Sequence, residues 1–462
     1  MFCKKIYGKF LALIVLLSFV GMGCSTPKPV VSTGFCDDPN PQIAAQRALK
    51  QAKKSVGKAP VKAVLFTVYY PQKNFTPESP SEYLPDTKAE NIAAETIAKS
   101  LKKIPSIGLR AQAMNPATVR STRGVSVIVF AGKDIKCKAV TTPLKPDRAQ
   151  TGADLARKIR TLKNLSILIC LSEMKLPFTT CKKSRPMEFL SELCKFIPAD
   201  TTCLGASSMN NPADEKSPLK GKIFLNGKPL ENQIAALGIA GNLRAFVDQR
   251  SEFYSTGKSA IVTKTQGRWI LELDKKPALD VYKKLADFDK GQHVTADWKH
   301  PVAIVTSPGS FYQQMIINYV AKTGEDTFGR KINLPSGAIK LRSEIEPGTR
   351  LEILKGGDSD SAIWLSAKTA TQNAISKCRL AKYEPLALFA MDCCSRGERL
   401  DALGSGQEND FNDGLRAGVS KPKFPLIGFF TFGQFGPVNG GFQDQPNHYQ
   451  QHNIIVTIFG AK

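Results

Sequence analysis

Apolar positions recur along the chain in short runs separated by amphipathic stretches. Residues 61–69 form a strand-like apolar run, and residues 88–102 carry apolar side chains at helical spacing. Residues 107–114 read as a strand containing a glycine, and residues 125–131 as a further strand. This strand-helix-strand-strand order returns at 165–171, 187–197, 203–210 and 233–241. It returns again near the C-terminus at 386–392, 409–415, 425–432 and 453–460. In each copy the strand after the helix holds a glycine, Gly108, Gly205 or Gly428. Glycine weakens a strand and is kept where backbone bends or another group comes close. The recurrence therefore marks either a packing bend in a repeated sheet unit or a ligand lying against backbone.

Between the second and third copies the pattern changes. Residues 260–264 and 269–273 read as two strands joined by a turn at Gln266 and Gly267, followed by a helix over 277–285 with proline in its first turn. Another α/β region is expected from Pro301. The alternation places the fold in the α/β class, or mixed α+β, with repeated units building two sheet-based domains. The predicted division is 34–290 and 300–460.

The N-terminus alters this picture. Lys4, Lys5 and Lys9 precede an apolar stretch over 10–20, and Gly21 and Gly23 stand just before Cys24. A charged region, an apolar region and a small-residue cleavage site form an export signal, here residues 1–23. The apolar stretch falls short of the roughly 20 residues a spanning helix needs. Cysteine after small residues resembles the lipobox of bacterial lipoproteins, which implies lipidation of Cys24, although Gly21 stands where leucine is usual. Residues 24–33 read as an extended tether. The mature chain is thus expected in the cell envelope, outside the cytoplasm and anchored to a membrane by lipid.

The formal charge is +24, and loss of the three signal lysines leaves +21. A basic exported surface suits anionic lipid, cell-wall polymer or an acidic ligand. Nucleic acid is not an expected partner, since export removes the chain from it and no binding motif accompanies the charge. Of eleven cysteines, Cys3 leaves with the signal and Cys24 takes lipid, so nine remain. Cys170 in an apolar run reads as a buried thiol. Cys181, Cys194 and Cys203 lie close enough in sequence to favour a disulfide among them. No paired C-x-x-C spacing occurs and only four histidines exist, so no metal is expected, and no motif calls for a cofactor.

Several strings are more specific. The stretch Val-Thr-Lys-Thr-Gln-Gly-Arg-Trp-Ile-Leu-Glu-Leu-Asp-Lys-Lys-Pro-Ala-Leu over 262–279 resembles the end of the N-terminal module of FIST proteins. Cys393, Arg396 and Gly397 resemble the Cys-x-x-Arg-Gly element of the companion C-terminal module. The Gly-Phe-Phe-Thr-Phe-Gly-Gln-Phe-Gly-Pro run over 428–437 is similar to its Gly-Phe-Phe-Thr-x-Gly-Glu-x-Gly-Pro element, and His452 with Asn453 to the family's closing strand. Two positions depart from the pattern: Gln434 stands for Glu, and Ile455 for Thr. The resemblance implies a sensory domain for a small ligand such as an amino acid or organic acid, acting with an envelope signalling partner.

On that basis the expected ligand contacts are Arg396, Thr431, Gly433, Gln434 and Asn453. Arg396 follows a strand end, where α/β folds place their sites, and its fork matches a carboxylate. A salt bridge to Asp392 or Glu398 is its alternative role. No catalytic residue is expected. The rival enzyme reading would use Cys393 or Cys394 as nucleophile, His448 or His452 as base and Asp392 as orienter; a scaffold without a small ligand is the third class.

Overall fold

The computed structural model describes residues 28–71, 85–114, 123–173, 181–182, 185–186, 188–208, 221–288, 300–307, 310–314, 316, 318–321, 324–326, 329–341, 344–356, 360–394, 396, 414, 416, 425–431, 434–436, 448–450 and 453–462. The N-terminal signal, with Cys24, lies outside them. The fold is mixed α+β, built from three copies of one unit. Each unit is longer than the pattern of apolar runs predicts, because a lead strand and a helix precede the expected elements.

In the first unit the lead strand is Val30–Cys36, whose first four residues fall in the stretch 24–33 expected as tether. The helix Pro41–Val56 follows, then a central strand Val61–Tyr69, a second helix Thr87–Leu101, the glycine strand Ser106–Arg110, a two-residue hook Ala113–Met114 and a return strand Gly124–Ala131. The second unit repeats this as Ile135–Pro143, Arg148–Ile159, Leu165–Ser172, Glu188–Lys195, Thr202–Ser207, Ile223–Leu225 and Gln233–Gly241. The third runs Leu243–Arg250, Asp360–Leu380, Glu384–Cys393, Leu426–Thr431, Gln434–Gly436 and Ile454–Ala461. Local chemistry starts the helices: Asn40 accepts from the amides of Gln42 and Ile43 ahead of Pro41, and Asp86 and Asp147 each accept from the amide three residues on.

Each unit forms one sheet with the order lead, return, central, glycine strand. Central and glycine strands run parallel, joined in the first two units through the second helix, while lead and return strands run antiparallel to their neighbours; the short helix expected over 409–415 lies almost wholly outside the described residues. The next strand in each sheet comes from another unit. The second unit's hook extends the first sheet, the third unit's hook the second, and the first unit's hook the third. The exchange is cyclic, so the three units are interlocked about a pseudo-threefold axis.

The alternation of each strand then explains the core. One face of all three sheets meets in a single apolar interior, including Leu65, Leu109, Phe130, Ile169, Leu204, Leu237, Val247, Phe389, Phe429 and Phe459. Phe130 and Phe459 meet edge to face at 5.3 Å between ring centroids. The opposite faces carry the helices, Pro41–Val56 and Thr87–Leu101 on the first sheet and Asp360–Leu380 on the third.

The region between the second and third copies is an insertion in the third unit, after its lead strand. Strands Phe253–Gln266, Trp269–Leu273, Val302–Ser307 and Arg350–Gly356 form an antiparallel sheet with the helix Ala278–Leu285. Its apolar face packs with the helices of the second unit. The expected α/β alternation from Pro301 is thus replaced by antiparallel strands up to the helix at Asp360. The stretch 290–300 lies almost wholly outside the described residues, and strands from either side of it share sheets.

The three glycines are accounted for by packing in two cases. A methyl group on Gly108 would meet the Phe66 ring at 2.3 Å, and one on Gly205 the Phe435 ring at 1.9 Å. Gly428 sits between Ala390 of the central strand and Met114 of the hook.

Candidate functional site

In each unit the glycine strand runs into its hook beside a neighbouring glycine strand, so the C-terminal ends of the parallel strands collect at one pole of the interior. Open sheets place ligands beyond such ends. In the third unit two rows cross the inner face there. The inner row is Gln249, Ile455, Met391 and Phe429, aligned by strand pairing. The row nearest the pole is Asn453, Cys393 and Thr431, held by Cys393 N–H donating to Asn453 O at 3.2 Å and by pairing of Cys393 with Thr431.

This outer row is polar yet closed from solvent. Thr431, Gln434 and Asn453 are each fully buried, and Cys393 nearly so. Thr431 Oγ1 donates to Gln434 Oε1 at 3.0 Å, and Gln434 Nε2 donates to both the backbone and side-chain oxygens of Asn453 at 2.5 Å. Among the described residues Asn453 Nδ2 has no hydrogen-bond partner, nor does either polar side-chain atom of Gln249. Buried polar atoms are nearly always satisfied, and each exception costs about 1–3 kcal/mol.

On the other face of the same strand ends lies a charged cluster. Asp392 alternates out of the interior toward the helix Asp360–Leu380, as Leu388 and Ala390 do. Arg396, fully buried, pairs with Asp392 Oδ1 at 2.8 Å and with Glu252. It also donates to Ser366 Oγ at 3.1 Å and Ile363 O at 3.3 Å. One base serves two acids, and burial pushes Asp392 up to about 8 despite the opposing guanidinium. A related pair stands in the first unit, where Arg110 grips Glu90 through contacts of 2.7–3.0 Å. Beside it burial lowers the Lys222 amine to about 8, against the attraction of Glu90.

A family model of the FIST N domain matches residues 83–276, and one of the FIST C domain matches residues 278–437. The chain belongs to the FIST family. FIST domains are associated with sensory signal transduction and small-ligand binding. The FIST N match covers most of the first two units and the first hairpin of the insertion. The third unit's lead strand also falls in the FIST N match, and the FIST C match covers the rest of the insertion and the third unit from the helix Asp360–Leu380 to its hook. No curated protein matches the chain. Among solved structures, T. maritima PurL complexed with FGAR is similar at 8% identity over 94% of this chain and 72% of that one, with a TM-score of 0.23; this likeness carries no argument.

The FIST fold brings three of the five expected ligand contacts, Thr431, Gln434 and Asn453, into one hydrogen-bonded cluster. Gly433 lies outside the described residues, as do Phe432 and Pro437. Arg396 is separated from the cluster by the sheet, and its guanidinium is engaged by internal partners instead of presenting an open fork. Of the enzyme constellation, Cys393 faces the interior while Asp392 faces the helix, so Asp392 does not orient a base for Cys393. The side chain of His448, and all of His452, lie outside the described residues. Two participants were missed. Glu252 is 144 residues from Arg396 in sequence, and nothing local announces the pair. Gln249 does leave a signal: in Leu243, Ala245, Val247, Gln249 an amide takes the fourth place of an apolar alternation. No disulfide joins Cys194 to Cys203 among the described residues, and the side chain of Cys181 is not among those described.

Proposed function

We propose that this protein is a lipid-anchored, extracytoplasmic FIST sensor that binds a small polar molecule at the pole of the third unit and presents the bound state to an envelope signalling partner. The observation that carries the reading is Asn453 Nδ2, a fully buried donor without a partner among the described residues, at the end of a polar row. A fold keeps such a costly group where a bound molecule supplies the missing acceptor. The family's association with ligand sensing supports the same site. The signal-like N-terminus supports export and lipidation at Cys24. Binding without chemical conversion is the proposed activity, favoured by the separation of Cys393 from Asp392.

The test is calorimetric titration of the full-length protein in detergent with a panel of small metabolites, alongside Asn453→Asp. That variant keeps the oxygen that Gln434 uses and removes the donor. Binding at micromolar to millimolar concentration, weakened about tenfold or more in the variant, is the expected result. Binding that is indifferent to Asn453 would move the site elsewhere.

A further inference from the structure

The ligand class follows from what faces it, and this step rests on the reading of the third-unit pole as a binding site. Gln249 is 8% exposed, and both its amide oxygen and its amide nitrogen are buried without hydrogen-bond partners among the described residues. Because both ends are unsatisfied, exchanging the two by flipping the amide changes nothing. Its side chain shares the inner face with Ala245 and Val247, which pack into the interior. It stands opposite Ile455, and Asn453 lies two residues from Ile455 on the same face. Diagonal neighbours of this kind lie roughly 7–8 Å apart, a span that one small planar molecule bridges.

The two rows offer two donors and one acceptor that are unused, from Asn453 Nδ2 and the Gln249 amide. They offer no charge: Gln249, Ile455, Met391, Phe429, Asn453, Cys393 and Thr431 are all uncharged. Arg396, the guanidinium beyond these strand ends, is on the other face and held by two carboxylates. A carboxylate brought into the polar row would be buried without a counter-charge, which proteins avoid. A side-chain amide pairs in bidentate fashion with an edge that carries an acceptor beside a donor.

We infer that the third-unit pole recognises a neutral amide-type edge, such as a carboxamide, ureide or nucleobase edge, through Gln249 and Asn453, and rejects the corresponding carboxylates. The carboxylate ligand expected from Arg396 is thereby replaced by its uncharged counterpart. Since both amides are closed from solvent, the pole opens for entry, and association is slow relative to diffusion.

Matched probes test the assignment on the full-length protein in detergent: nicotinamide against nicotinate, glutamine against glutamate, and uracil as a cyclic imide. At least one amide-type probe should bind, and its acid counterpart should bind at least about a hundredfold more weakly, as happens when a site's buried polar groups lose their partners. Gln249→Leu should weaken that binding about tenfold or more and at the same time raise the melting temperature, because it removes two unsatisfied buried atoms. Gln249→Met repeats the test with a straight side chain should the branched one pack poorly. Acids binding as well as or better than amides, or affinity unchanged in both Gln249 variants, overturns the amide assignment and leaves the proposed site standing. No binding by any probe at millimolar concentration overturns the amide assignment; the broader panel with Asn453→Asp then decides the fate of the proposed site itself.

Discussion

Arg396→Met separates architecture from recognition at the charged cluster. The side chain is fully buried between the third sheet and the helix Asp360–Leu380, and it pairs with both Asp392 and Glu252. Methionine fills much of the volume and removes the charge, leaving two carboxyl groups buried with no guanidinium between them. Breaking a buried pair in this way costs about 3–5 kcal/mol, or a fall in melting temperature of roughly 3–6 °C for a chain of this size. The loss has a direction with pH. In the folded protein Asp392 is already held at about 8, against about 3.9 for a free side chain. The folded state therefore binds the extra proton between these values. Stability is fully present below about pH 4 and falls as pH rises toward 8, by at most about 5 kcal/mol from this group. Without Arg396 both acids are forced toward the neutral form, so the variant loses least at pH 5 and most at pH 8.

The assay pairs thermal melts at pH 5 and pH 8 with titration of whichever ligand binds the unaltered protein. The expected outcome is a large pH-dependent drop in melting temperature with affinity preserved in the folded fraction. Adding Glu252→Gln and Asp392→Asn to Arg396→Met should recover most of the loss, because a buried ion cluster replaced as a whole is close to neutral. A variant that melts within a degree or two of the original and no longer binds would refute the reasoning, and would make Arg396 a ligand contact after all.

Three shorter tests bear on other parts of the molecule. Gly205→Ala places a methyl group 1.9 Å from the Phe435 ring and 2.7 Å from Cys170 O, so it should displace the third unit's hook. The expected cost is about 1–3 kcal/mol, with faster proteolysis near residue 434. Cys24→Ser should abolish incorporation of labelled palmitate; equal labelling of both forms would remove the lipid anchor. Cys194 is exposed, whereas Cys170 and Cys203 are buried and burial pushes the Cys170 thiol up. Iodoacetamide should therefore leave Cys170 untouched in the native protein and modify it only on unfolding, as mass spectrometry of tryptic peptides would read.

The repeat is legible in the sequence because central, glycine and return strands are covered on both faces and read as continuous apolar runs. Residues 233–241 are a strand in both readings. The lead strands are less visible for a physical reason. Ile135–Pro143 is a sheet edge with exposed Lys136 and half-buried Lys138, and such strands carry polar side chains that blunt the pattern. The helix Pro41–Val56 buries mainly alanines, too little apolar bulk to mark a face. The hooks are two or three residues long and owe their strand geometry to a partner in another unit, so no local signal exists for them. Thr431, Gln434 and Asn453 were found through motif likeness, and their meeting depends on the turn from glycine strand to hook. Arg396 was found for its position beyond a strand, but its face was decided by the parity of Asp392 and by distant Glu252.

Pseudo-symmetry explains why the site belongs to the third unit. The pairing registers make Thr431 equivalent to Ser208 and Ala111, each three residues after its glycine, and Asn453 equivalent to Gln233 and Gly124. Gln249 corresponds to Thr141 and Phe35. In the first unit these places hold alanine, glycine and phenylalanine, which leave nothing to satisfy. In the second, Ser208 Oγ accepts from Lys222 N–H at 2.8 Å and donates to Arg110 O at 3.2 Å, so its hydroxyl serves the link between units. In the third unit Thr431 is satisfied within the fold, while at the other two places the Gln249 amide and Asn453 Nδ2 are left over among the described residues. The same unit carries the insertion, whose first strand begins at Phe253, directly after Glu252 of the Arg396 cluster. Asp392 joins the two systems: its backbone oxygen accepts from Thr431 Oγ1 at 3.3 Å, and its carboxylate holds Arg396. A ligand that shifts the Thr431 row would therefore act within one residue of the cluster that roots the insertion, which gives the proposed sensor a physical path from its site to that sheet.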